Sequence, residues 1–167
     1  IVVYTDTGNS YRGTACLLTV SGSTVTAGTP MVFRSSNSQW ITVATLSDTK
    51  VIVMFRLGNG YVTSCVLTIS GSSISAGAVV SFNSGASEYI SVAVLNPEKV
   101  IVAYMDDGDS KKGKALVLTI SGSTVSSGSA WDIFTFNNAD TRFIAIAKLT
   151  NTQAIVSYMN NGNSGIG

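Results

Sequence analysis

Apolar residues along this chain come in short runs rich in Val, Ile, Thr and aromatics, cut by Gly, Asn, Asp and Ser. Some runs, such as VIVAY from Val100, are apolar at every position. Others alternate and then turn polar, as in TVSSGSA from Thr124. Alternation at period two between turn residues predicts strands joined by hairpins, and no stretch carries a helical period. The expected fold class is therefore all-β.

The runs recur. LTVSGSTVTAG from Leu18 returns as LTISGSSISAG from Leu67 and LTISGSTVSSG from Leu118, so that Ser21, Ser70 and Ser121 stand 49 and 51 residues apart. Trp40, Tyr89 and Phe143 open the matching phrases WITVATL, YISVAVL and FIAIAKL, and Gly8, Gly58, Gly108 and Gly162 are expected in four equivalent turns. A period near fifty predicts β-propeller blades rather than a short-period solenoid. In the best-marked unit the expected strands are 89–95, 100–105, 114–121 and 124–136, a four-stranded antiparallel sheet. Burial should fall from the first strand to the fourth, as it does when twisted sheets pack face to face about an axis. Ala44, Ala93 and Ala147 hold one place in the first strand, where converging sheets leave least room. An open line of stacked sheets is the architectural alternative. The units are a partial blade 1–36, blades 37–85 and 86–139, and a partial blade 140–167. Such a count closes no ring of four-stranded blades, so the chain is expected to be a portion of a larger propeller, completed by further blades or copies.

Composition narrows the setting. Charged residues make up 11% of the chain, against roughly 25% in an average domain. Short polar residues take their place, with 24 Ser and 18 Thr. Such surfaces suit β proteins outside the cell, and the expected location is extracellular, cell-surface or virion. A net charge of +1, with Lys111, Lys112 and Lys114 as the largest basic cluster, leaves little attraction for nucleic acid. No apolar stretch is long enough to insert in a membrane.

The phrase VIVAYxDxGNSxxGxAxxLTISGSTVxxG, seen from Val100 to Gly128 with Asp109 in place of its Asn, resembles the degenerate propeller repeats of predicted marine phage virion, cyanobacterial surface and algal extracellular proteins. The resemblance spans the chain and implies a structural or adhesive propeller. It brings no catalytic residues. The second repeat departs from the pattern, with Arg56 read in place of the turn Asp and one residue missing between Gly58 and Cys65. Asp6, Gly8 and Tyr11 also have the spacing of the Asp-box of sialidase-like propellers, a motif that serves the fold rather than the chemistry.

Chemistry-bearing residues are few. Asp106, Asp107 and Asp109 crowd one turn, and closely spaced carboxylates are the oxygen ligands that Ca²⁺ prefers. Asp, Asn and Gly also populate turns for purely local reasons, so the expectation is no metal, with these three as the candidate ligands. No cofactor is expected. Tyr11 and Tyr61, with Asn9 and Asn59 beside them, lie at hairpin tips and are the candidate glycan-binding residues. Cys16 and Cys65 hold the same place in successive repeats, where the third carries Leu116. Neighbouring sheets lie about 10 Å apart and a disulfide spans roughly 7 Å between Cα atoms, so two free thiols are expected. The chain has no His, the usual base for a Ser or Cys nucleophile and the commonest zinc ligand. The functional expectation is a non-enzymatic structural or interaction module whose partners are other blades, domains or chains. A lectin-like propeller binding glycans is the alternative.

Overall fold

A computed structural model describes residues 1–83, 85–127 and 132–163. The protein is all-β. Its first repeat supplies β1 (Val2–Asp6), β2 (Arg12–Cys16), β3 (Leu18–Ser21), β4 (Thr24–Ala27) and the start of the long β5 (Met31–Ser47), whose later half is the first strand of the second. The second supplies β6 (Lys50–Leu57), β7 (Val62–Ser70), β8 (Ser73–Ala76) and β9 (Val80–Ser81). In the third are β10 (Ser87–Asn96), β11 (Lys99–Asp106), β12 (Lys112–Ser121), β13 (Thr124–Ser127) and β14 (Phe134–Asn137). The fourth has β15 (Thr141–Lys148) and β16 (Ala154–Asn160).

One pairing plan recurs. β10 pairs with β11 and β11 with β12, all antiparallel, and β5, β6 and β7 do the same. The expected single fourth strand, 124–136, is corrected to two short ones, with residues 128–131 outside the described set. β13 folds back on Leu118–Ser121 through a two-residue turn, and β14 pairs with the other half of β12 at Gly113, Lys114 and Ala115. Gly22, Gly71 and Gly122 all have φ near +60° at these hairpin tips, the backbone that a glycine-first tight hairpin requires.

β5 belongs to two sheets. Up to Asn37 it pairs with β2, and from Ser38 onward with β6, so the first two repeats form one curled sheet ordered β1-β2-β5-β6-β7-β8. The sheets stack face to face, with a front directed at the preceding repeat and a back at the following one. Val53, Phe55, Cys65 and Leu67 on the front of the second repeat bury against Ala15 and Phe33 of the first. Ile52, Met54 and Val66 on its back meet Val102, Tyr104 and Leu118 on the front of the third. Ala103 and Met105 continue the order against Ile144 of the fourth. The first strands lie side by side, β10 packed between β5 and β15, and Ile146 N–H donates to Ser91 Oγ at 3.1 Å across that seam. Ala44, Ala93 and Ala147 face Ile52, Ile101 and Ile155 in identical register.

Register also corrects the reading of the second repeat. Leu57, Asp106 and Asn160 stand opposite Ser38, Ser87 and Thr141, so Leu57, not Arg56, occupies the place of the turn Asp. Arg56 matches Met105 and Met159, and Gly58 matches Asp107 rather than Gly108. The hairpin is two residues shorter between Leu57 and Cys65 than between Asp106 and Leu116, where one had been expected. Gly60, at φ +96°, closes this tighter turn, and a Cβ there would lie 2.7 Å from Ala86 Cα of the next sheet. Cys16 and Cys65 do share a place, opposite Val2 and Val53, and both are buried free thiols.

Candidate interaction surfaces

Each first strand breaks its pairing at the aromatic that opens its phrase. The register shifts between Gln39 and Thr42, between Glu88 and Ser91, and between Arg142 and Ala145. Within these bulges Trp40, Tyr89 and Phe143 have φ of 51°, 52° and 51°. A bulky residue held there costs about 1–3 kcal/mol. The bulge turns the next residue inward, so that Ile41, Ile90 and Ile144 join the three cores. It turns the aromatics onto one another, Trp40 to Tyr89 at 4.7 Å and Tyr89 to Phe143 at 5.3 Å between ring centroids. Tilted pairs of this kind return about 0.5–1.5 kcal/mol each. The outcome is a partly exposed aromatic ladder running across three sheets. In sequence its signal is the doublet WI, YI or FI, which interrupts the alternation at one place in every repeat.

Polar side chains flank the ladder. Arg56 donates to Glu88 Oε1 of the next sheet at 3.0 Å and also to Gln39, tying two repeats together. Farther along, Glu88, Tyr89, Met105, Asp107, Lys111 and Arg142 line a cleft of about 300 Å³. Arg142 is held by Asp140, whose carboxyl lies below its usual range because of that guanidinium and the Asn161 amide. A larger cleft of about 640 Å³ opens at the opposite end of the second and third sheets, beside Lys50, Glu98 and Gly122.

The residues singled out from the sequence lie in hairpin turns of the first three repeats. Tyr11 is exposed at φ 58°, after a turn in which Asn9 is half-buried. Tyr61 is half-buried in the shortened hairpin, where its amide donates to exposed Asn59 Oδ1 at 3.3 Å. Asp106, Asp107 and Asp109 point to different partners. Asp109 is bonded to Lys112 at 2.9 Å and Lys114 at 2.6 Å, and their hydrogen bonds, Lys114 foremost, hold its carboxyl below the usual range. Asp107 lies 3.9 Å from Lys111, while Asp106 is buried beside Gly85 and Gly108. Among the described residues no three acidic, Cys or His side chains are grouped to hold a metal ion. At the place of Asp106 in the fourth repeat, Asn160 Oδ1 accepts the Gly162 N–H at 3.2 Å, the local turn bond that Asp and Asn favour.

The end sheets carry surfaces that sequence reasoning missed. On the front of the first repeat Val2 is 38% and Val25 59% exposed, whereas the matching Val53 and Val125 are at 0% and 2%. On the back of the fourth, Leu149 is 61% and Ile155 56% exposed, against 7% for Leu46 and 0% for Ile52. Tyr4, Leu18 and Val20 extend the exposed front. No family model matches this chain and no curated protein matches it, so its role has to be read from these surfaces.

Proposed function

We propose that the chain is a run of consecutive β-propeller blades serving as a non-enzymatic structural and interaction module, a scaffold within an extracellular, appendage or virion assembly. One observation carries this reading: equivalent positions bury front to back between successive sheets, and the sheets are joined most closely along their first strands. Sheets that approach at one edge and repeat at a fixed period wind about an axis. The low charge, the abundance of Ser and Thr and the lack of His agree with a scaffold outside the cell. Its partners are further blades, domains or chains that cover the apolar end faces. Electron microscopy of the purified particle is the test. Sheets radiating from an axis with their first strands innermost are expected, and a straight row of sheets would overturn the reading.

A second reading, glycan recognition, is favoured by the aromatic ladder and the polar cleft beside Tyr89. A glycan array separates the two. The scaffold reading expects no binding, whereas hits lost on Tyr89→Ala would make this a lectin.

A further inference from the structure

We propose that Arg56, Glu88 and Arg142 form a charge key by which the second repeat takes the third, and not the fourth, as its neighbour. The inference rests on the repeated-sheet reading above and adds what orders the stack. The apolar faces do not order it by themselves. Val102 and Tyr104 on the front of the third repeat are matched by Val156 and Tyr158, the same two residues at the same places of the fourth. The back face of the second, with Ile52, Met54 and Val66, therefore finds the same Val and Tyr on either.

Charge tells the two fronts apart. Gln39, Glu88 and Arg142 share one place in the first strands, and Arg56, Met105 and Met159 stand opposite them. Across the seam between the second and third repeats, Arg56 Nη1 donates to Glu88 Oε1 at 3.0 Å. Across the next seam Met105 and Arg142 line one cleft, and Arg142 turns to its own Asp140 at 2.8 Å. Were the third sheet skipped, Arg56 would stand against Arg142. A like-charge contact rejects that partner, which is the repulsive element that a choice between similar faces needs. Stability is a poor explanation for the same pair. The two side chains are 21% and 34% exposed, where an ion pair contributes little. Arg56 also leaves its Nε buried with no hydrogen-bond partner among the described residues. Methionine holds the same place in the third and fourth repeats without that cost. Docking out of order is the failure to which arrays of similar units are prone.

Refolding tests this. The full chain is diluted from denaturant and followed by tryptophan fluorescence, with the denaturation midpoint measured alongside and circular dichroism checking the fold. Arg56→Glu combined with Glu88→Arg keeps an ion pair across the seam but makes position 56 attract Arg142. A pair that only stabilised the seam would leave refolding as in the parent chain. The key predicts an unchanged midpoint together with a several-fold larger slowly refolding fraction. Adding Arg142→Glu to this variant restores the repulsion and is expected to return the slow fraction to the parent level. Arg56→Met keeps the test decisive should the reversed pair not fold, since the next two repeats carry that side chain at this place; its midpoint is expected to hold while the slow fraction rises. A slow fraction that stays at the parent level in either variant, or that Arg142→Glu fails to lower, would overturn the proposal. If Leu118→Ala nevertheless strongly destabilises the chain, the stacked sheets stand and only the key is wrong.

Discussion

Tyr104 and Phe55 hold the same place in successive repeats, yet only one carries a hydroxyl. Tyr104 is fully buried, and its Oη has no hydrogen-bond partner among the described residues. Burial, reinforced by Asp106, pushes its ionisation well above the usual phenol range. An unsatisfied buried hydroxyl costs about 1–3 kcal/mol, so Tyr104→Phe should raise the denaturation midpoint, by about 1 kcal/mol in stability. Cys65 makes a different statement. Burial pushes its thiol up to about 12 from 9.0. Its neutral form is thus the one that fits the core, and the associated stability is present below pH 9.0 and lost as pH rises towards about 12. Unfolding free energy measured across that window should fall less steeply in Cys65→Val than in the parent chain, whereas an equal slope would contradict the assignment. The shared place of the cysteines was readable from repeat spacing alone. The pairing of Arg56 with Glu88 was not, because it depends on how far apart two sheets lie.

Hairpins and bulges set the character of each element. Gly13 and Gly113 face Phe33 and Phe136, and a Cβ at either glycine would lie about 2.5–2.7 Å from a ring carbon. Gly113→Ala should therefore destabilise the third sheet by about 1–3 kcal/mol, seen as a lower thermal midpoint with the β spectrum retained. Strand positions and the SGS hairpins were legible because period-two runs and a glycine at the turn are local signals. The second repeat was misaligned in its turn for a related reason: Gly58 mimics Gly8 and Gly108 in sequence while the strands pair one step earlier. The division of the fourth strand was not legible, since its Ser- and Thr-rich segment carries no apolar alternation to fix a register. The aromatic ladder lay between these cases. Its doublets were visible in every phrase, but the left-handed backbone that aims the rings at one another follows from the bulge, which only pairing across strands reveals.

At the scale of the molecule, stability depends on having neighbours on both sides. Leu18 and Leu118 are the same residue in the same place of the repeat, one exposed on the end face and the other fully buried between sheets. Leu118→Ala should cost about 2–5 kcal/mol and Leu18→Ala about 0.5 kcal/mol or less, as measured by denaturant unfolding of the monomer. Comparable losses would mean that the sheets do not stack as described. The continuity of β5 adds a mechanical consequence. A strand that leaves one sheet and enters the next without a loop carries tension directly between them, so the first two repeats have no slack to yield before their hydrogen bonds do. Stretched from its ends in an optical trap, the chain should release the first two repeats together in one long extension step, while the third comes away separately.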